Sequence, residues 1–187
     1  MTPVLVFLGI LVLIGLWLIG LYNGLVRLRN VVKNAWAQID VQIKRRHDLV
    51  PNLIETVKGY MTHERQTLET IARARSGAVA AASSGNVAQI GTAEAQLAGA
   101  LRGFYAVAEN YPDLKANQNF MALQEELTST ENKIGFARQY YNDAVLKYNT
   151  ACETIPSNIM AGIGGFQKAD FFELKDEAER AVPTVKF

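Results

Sequence analysis

The side chains best suited to metal binding or nucleophilic catalysis are few: two histidines, His47 and His63, and one cysteine, Cys152. His63 opens the run H-E-R-Q-T, so the H-E-x-x-H pattern of zinc enzymes is missing. Neither histidine follows a glutamate by three residues, as the ligands of di-metal helical bundles do. Cys152 cannot form an intrachain disulfide and falls on an apolar helix face, which is typical of a buried thiol. The sequence therefore predicts no metal site.

Three carboxylates, Asp48, Glu64 and Glu131, are of a type that can exchange protons with a substrate. No nucleophile or metal ligand is spaced so that a helix would bring it beside them. We therefore expect no catalytic residues, no cofactor and a protein that is not an enzyme.

Polar residues on apolar helix faces are the remaining candidates for interactions. Arg75 and Glu94 fall in phase with two apolar stripes, at matching distances from a turn between Ser84 and Gly85. We expect them either to pair across this hairpin and set its register, or to extend to solvent. Four more residues accompany an aromatic seam, where hydrogen-bonded support between helices is a more common role than ligand binding: Glu131, Arg138, Asn142 and Asn149.

The seam lies in the longest predicted helix of the polar part of the chain. Its large residues repeat every seven positions, namely Phe120, Leu127, Ile134, Tyr141, Tyr148 and Ile155, and smaller ones alternate with them, namely Leu123, Thr130, Ala137, Ala144 and Ala151. This alternation of three- and four-residue steps predicts coiled-coil-like packing against neighbouring helices. Asn117 is placed to cap the start of the helix and Pro156 to stop it.

Similar stripes predict four long helices, at about 23–47, 49–82, 86–109 and 117–155. Short connections between them favour an all-α fold, an antiparallel up-and-down four-helix bundle over residues 23–157. The first break rests on a turn near His47-Asp48, just before Pro51. Because the stripe passes Pro51 almost in phase, a kinked helix from the membrane to about residue 80 is the alternative. The tail at 158–187 is apolar and contains glycines, and it packs either on the end of the bundle or at a membrane surface.

Residues 1–22 form the predicted transmembrane anchor. From Val4 to Leu21 there is no charged side chain, and 18 residues make a helix of about 27 Å, close to the ~30 Å core of a bilayer. A cleaved signal peptide would have a basic start, a shorter apolar run and a small-x-small cleavage site. We therefore expect a retained single-pass helix.

The charges beyond the anchor predict its direction. Arg27, Arg29 and Lys33 follow it closely, and such clusters tend to stay in the cytoplasm. The sequence thus predicts an external N-terminus and a cytoplasmic bundle. The formal net charge of +1 gives no indication of nucleic-acid binding.

Several gap-free stretches resemble the LemA proteins of bacteria: Tyr22-Asn23, the run R-H-D-L-V-P-N-L at 46–53, the run E-N-Y-P-D-L-K-A-N at 109–117, residues 131–134 and 142–143, Phe166 and F-F-E at 171–173. The resemblance covers nearly the whole chain. It implies a small bacterial membrane protein with an N-terminal helix and an up-and-down four-helix bundle, for which no activity or cofactor is established. Some members look like lipoproteins with a cysteine before the Tyr-Asn pair, where this chain has Leu21. Other members resemble proteins associated with membrane-stress proteases. This association suggests a shared pathway and does not imply direct contact.

These observations predict a membrane-anchored helical scaffold or interaction protein. Its expected partners are the lipid bilayer and either membrane proteins or further copies of the chain. The alternative is a bundle that binds a small ligand or lipid near the membrane, with Phe104, Tyr141 and Tyr148 as lining residues.

Overall fold

The computed structural model of the protein describes residues 2–61 and 63–173. All regular elements in this part of the chain are helical, and it contains no strand, which confirms the predicted all-α class. The helices are α1 (Thr2–Val57), α2 (Arg65–Ala82), α3 (Val87–Ala108), α4 (Pro112–Lys115), α5 (Gln118–Glu153) and α6 (Ser157–Ile163). The expectations for the tail at 174–187 lie outside the described residues.

The amino-terminal part of α1 has no protein cover. With the exception of Leu18, its large apolar side chains between Val4 and Ile19 are 46–67% exposed. By length and composition, α1 contains one segment able to cross a membrane. Such a continuous apolar surface is what a helix surrounded by lipid presents.

The break predicted near His47-Asp48 is wrong, because α1 continues through this point and ends at Val57, with Pro51 inside the helix. The alternative of one helix to about residue 80 is also wrong, since residues 58–64 separate α1 from α2. Proline lacks an N–H, so the carbonyl of His47 cannot form the regular bond to residue 51. Arg75 Nε on α2 donates to this carbonyl instead, at 2.7 Å. A side chain from a neighbouring helix thus supplies the donor that Pro51 lacks.

Two other connections contain the turn residues that the sequence shows. Gly85 has φ +68°, a conformation that glycine adopts without steric cost, and Asn86 caps α3 by accepting from the backbone N–H of Gln89 at 3.0 Å. At the start of α5, Asn117 accepts from the backbone N–H of Phe120 at 3.0 Å, which confirms it as the expected cap.

The chain divides into two compact units. The first contains residues 2–39 of α1, residues 137–153 of α5, α6 and the segment to Asp170. Here α1 and α5 are in contact through the rings of Trp36 and Tyr141, whose centroids lie 5.4 Å apart. Buried residues on both helices form the apolar interior of this unit: Leu25, Val32, Ala35, Ile39, Tyr141, Ala144, Val145 and Tyr148.

The carboxy-terminal segment of the first unit is fastened to α5 by hydrogen bonds to its backbone. Tyr148 donates to the carbonyl of Gln167 and Tyr141 to that of Asp170, both at 2.8 Å. Asn149 makes two bonds with Ala169, donating to its carbonyl and accepting from its N–H, both at 2.9 Å. Residues 167–170 therefore lie along α5 as an ordered extended strap without pairing as a strand.

The second unit contains residues 40–136 and 171–173. Its core combines side chains from α1, α2, α3, α4 and α5, including Leu53, Ile71, Leu97, Phe104, Leu114, Phe120 and Leu127. Phe172 is fully buried in this unit, close to Gly91 on α3. A Cβ placed on Gly91 would lie 2.5 Å from the carbonyl oxygen of Glu173, so this backbone approach requires glycine.

The large residues of the predicted seam are buried along α5. Phe120, Leu127, Ile134, Tyr141 and Tyr148 are each 2–3% exposed. Ile155 departs from this pattern and is 82% exposed, because α5 ends at Glu153.

Candidate functional site

The most concentrated group of buried charges surrounds Arg46 in the second unit. Arg46 is 2% exposed, and its guanidinium pairs with Glu94 on α3 through Nη2 and with Glu131 on α5 through Nη1. The side chain of Glu94 is fully buried, whereas that of Glu131 is 48% exposed. A charge removed from water in this way is stable only when it is paired, so the three residues depend on one another.

His47 completes the cluster on the same face of α1. Its Nε2–H donates to Glu94 Oε1 at 2.7 Å. Burial works against ionisation of Glu94, but the hydrogen bond from His47 and the charge of Arg46 outweigh it, so the pKa of this carboxyl lies below its usual value. Glu94 is therefore a carboxylate at neutral pH and holds both neighbours of α1 in place.

Arg75 takes a different partner from the one expected. The predicted pair with Glu94 is wrong: Glu94 binds Arg46 and His47, while Arg75 donates to the backbone carbonyl of His47. The alternative, that both extend to solvent, is also wrong, because Glu94 is fully buried and Arg75 is half-buried. Their common neighbour is residue 47 of α1, so the cluster joins α1, α2, α3 and α5.

The structure does not bring all candidate residues together. Arg75, Glu94 and Glu131 belong to the second unit. Arg138, Asn142 and Asn149 belong to the first, where all three are half-buried and Asn149 holds the strap at Ala169. This role of Asn149 is the expected structural support, although it holds an extended segment and not a second helix.

The sequence interpretation missed Arg46 and His47. The apolar stripe of the first helix runs 32, 36, 39, 43 and resumes at 50, and the two residues occupy the intervening positions of the same face. The turn expected at His47-Asp48 places the two residues at the end of the predicted helix and not within a continuous stripe. The unbroken three- and four-residue spacing was the available signal.

The chemistry of the cluster is limited by its burial. A histidine hydrogen-bonded to a carboxylate can act as an acid–base pair, but His47 and Glu94 are only 5% and 0% exposed, so both lie beneath the protein surface. Within residues 2–61 and 63–173, no group of three or more His, Cys, Asp or Glu side chains is placed to hold a metal ion. The arrangement is that of an ion network between helices.

The three aromatic residues expected to line a ligand site near the membrane have other contacts. Tyr141 and Tyr148 hold the strap through their hydroxyls, and burial raises the pKa of Tyr148 to about 12. Phe104 is fully buried in the core of the second unit. These rings are packing and anchoring groups.

Comparison with known proteins finds similarity to MamQ and LemA proteins. The chain is 25% identical over 187 residues to magnetosome protein MamQ 2 of Paramagnetospirillum magneticum, with 87% of this chain and 68% of the relative covered. It is 27% identical over 160 residues to protein LemA of Metamycoplasma hominis, covering 83% and 68%. The model of the LemA family matches residues 35–187. The match includes the part of α1 that carries Arg46 and His47 and continues through α5, and the chain belongs to the LemA family.

Proposed function

We propose that this protein is a non-enzymatic helical scaffold, anchored in the bacterial inner membrane, that binds or assembles proteins at the bilayer surface. The observation that carries the proposal is the composition of α1: an exposed apolar segment long enough to span a bilayer continues, within one helix, into a segment with a buried face. Helical continuity between anchor and domain holds the domain close to the membrane.

The proposed scaffold is an up-and-down bundle with coiled-coil-like packing, in which α1, α2, α3 and α5 are the long helices. The shared core of the second unit and the Arg46 network, to which these four helices contribute, support this arrangement. The exposed side of α5 carries Phe136, which is 74% exposed, and Tyr140, which is 47% exposed. Such side chains are common in protein contacts, so membrane proteins or further copies of the chain are the proposed partners.

The proposed orientation places the N-terminus outside and the helical domain in the cytoplasm, because of the basic residues that follow the anchor. Protease treatment of intact spheroplasts tests it. The domain should survive until the membrane is permeabilised, and its digestion in intact spheroplasts would reverse the orientation.

Two measurements test the scaffold. Carbonate extraction should leave the full chain in the membrane and release Leu13→Arg, whereas Phe136→Arg should stay bound as the control. Photo-crosslinking in native membranes from position 136, compared with exposed position 73, should then yield recurrent adducts at 136. A chain that remains monomeric and free of adducts from both positions refutes the scaffold function.

A second candidate function, binding of a small ligand, is favoured by a cleft of about 310 Å³ beside Arg46. Its walls include Ala98, Leu101 and Leu127, and Tyr105 also lines it. Among the described residues, the buried hydroxyl of Tyr105 has no hydrogen-bond partner, and burial raises the pKa of Tyr105 to about 12, so the phenol stays protonated. Small-molecule sites begin at roughly this volume and combine apolar walls with a few polar groups.

Native mass spectrometry of the protein purified from its membrane tests this function. We expect a copurified small molecule that is lost in Ala98→Leu, which fills the cleft, and retained in Ala106→Leu on the exposed side of α3. A wild-type protein without bound ligand refutes it.

A further inference from the structure

The segment from Ile155 to Phe166 exposes an apolar face that the first unit leaves uncovered. Its sequence, I-P-S-N-I-M-A-G-I-G-G-F, contains no charged residue. Ile155, Ile159 and Ile163 are 82%, 57% and 76% exposed. Ile159 and Ile163 are four residues apart in α6 and therefore share one face of the helix.

The opposite face of α6 is attached to the protein. Ala161 is buried, and Ser157 Oγ donates to the carbonyl of Ala151 on α5 at 2.6 Å. The segment is thus held with its isoleucines directed away from the rest of the unit. Exposing apolar side chains to water in this way is unfavourable.

The position of this segment along α1 places it beside the end of the apolar run. The ring of Phe166 lies 5.4 Å from that of Tyr22, and the guanidinium carbon of Arg29 lies 4.9 Å from its centroid. Tyr22 directly follows the apolar run Val4–Leu21, at the point where the hydrocarbon core of a bilayer would end. Tyrosine and arginine at this point are the side chains that membrane interfaces favour.

We propose that α6, together with the preceding Ile155, is a second membrane contact of this protein, in which Ile155, Ile159 and Ile163 insert into the headgroup–acyl boundary of the same bilayer that α1 crosses. The inference rests on the proposed anchoring by α1. A lipid surface fits because the exposed face is apolar and uncharged and adjoins the end of the spanning segment. Interfacial helices bury such a face by about 5–10 Å, and α6, with a length of about 10 Å, can lie flat there.

Two points of attachment would restrict the orientation of the domain on the membrane. A single helix end leaves the domain free to tilt, whereas α6 beside Tyr22 adds a contact on one side of α1. The same surface of the domain would then always face the lipid.

Site-directed spin labelling of the full chain in nanodiscs of phosphatidylcholine and phosphatidylglycerol tests the proposal. Labels are introduced one at a time by Ile159→Cys and Ile163→Cys in a Cys152→Ser background, and circular dichroism verifies the helix content. Leu13→Cys reports on the spanning segment, and Arg73→Cys, at an exposed site on α2 in the second unit, is the aqueous reference. Collision rates are measured with oxygen, which partitions into lipid, and with a water-soluble nickel chelate.

The labels at 159 and 163 should show high oxygen and low nickel accessibility, at a depth shallower than position 13. Nickel accessibility equal to that of position 73 overturns the second contact, while a lipid-exposed label at 13 keeps the anchor. Low accessibility of 159 and 163 to both reagents indicates cover by protein and also overturns it. A label at 13 with high nickel accessibility refutes the anchor itself, so the two failures are distinguishable.

Discussion

Because α1 continues through Pro51, we expect the hydrogen bond from Arg75 to stabilise the protein. Replacing Arg75→Met removes the donor to the His47 carbonyl, which belongs to a residue that is only 5% exposed. A buried acceptor left without a partner costs about 1–3 kcal/mol. For a protein of this size, each kcal/mol lowers Tm by about 2–4 °C, so Arg75→Met should lower it by roughly 2–12 °C.

The same substitution should cost much less in a Pro51→Ala chain. Alanine restores a backbone N–H at position 51, and this N–H can donate to the His47 carbonyl in the regular helical pattern. The loss of Arg75 then removes a redundant donor, and its cost should fall below about 1 kcal/mol. The four chains of this cycle should give a coupling free energy of about 1–2 kcal/mol, within the range for residues in one network.

The assay is the unfolding of the full chain in detergent micelles, followed by circular dichroism, for the wild type, both single variants and the double variant. Arg73→Met is the matched control, because Arg73 is an exposed arginine on the same helix and its loss should change stability by no more than about 0.5 kcal/mol. An equal cost of Arg75→Met in the Pro51 and Ala backgrounds would refute the reasoning, since the cost would then not depend on the missing N–H.

Three further sites give predictions for the same melting assay. Glu94→Gln should lower the free energy of unfolding by about 3–5 kcal/mol, because it leaves the buried Arg46 guanidinium incompletely paired. The folded-state pKa of Glu94 lies below the reference value of 4.5, so its contribution to stability is complete above about pH 4.5 and is lost as the pH falls through the lower folded pKa. The Tm of Glu94→Gln should therefore fall less at acid pH than the Tm of the wild type. An identical dependence of Tm on pH in the two proteins would contradict the lowered pKa of Glu94. Gly91→Ala should destabilise by about 1–3 kcal/mol, because its Cβ would meet the backbone of the carboxy-terminal segment. Gly99→Ala on the same helix meets nothing within 4 Å and should stabilise by up to about 1 kcal/mol, and equal effects of the two would argue against that contact. Ile134→Asp should unfold the domain because it buries a charge at a site that is 2% exposed. Phe136→Asp, at a site that is 74% exposed, should melt like the wild type. A native-like melting curve of Ile134→Asp would exclude Ile134 from the core.

Much of the fold could be predicted because its information is local. The caps at Asn86 and Asn117 and the glycine at position 85 follow from side chains that satisfy nearby backbone groups. The buried faces of the helices follow from periodicity, since a helix places every third or fourth residue on one side. For the same reason Arg75 and Glu94 could be placed in phase with the apolar stripes, although neither their burial nor their partners followed from that.

The partners could not be predicted, because they depend on which helices are adjacent and at what height. The choice between Arg46 and Arg75 as the ion-pair partner of Glu94 depends on whether α1 continues past residue 47. That in turn depends on a long-range contact, the bond from Arg75 to the His47 carbonyl, which no local rule for proline contains. The proline rule therefore predicted a break where tertiary structure maintains a helix.

By itself, the sequence determined the all-α class, the apolar segment able to cross a membrane, the caps and the residues that face the interior, because each depends on neighbours within about one or two helical turns. Only the tertiary structure decided that α1 continues through Pro51, that Arg46 and His47 share Glu94, and that Asn149 holds an extended strap. The physical reason is that a buried polar group must find a partner somewhere, and the partner is chosen by distance in space and not by distance along the chain.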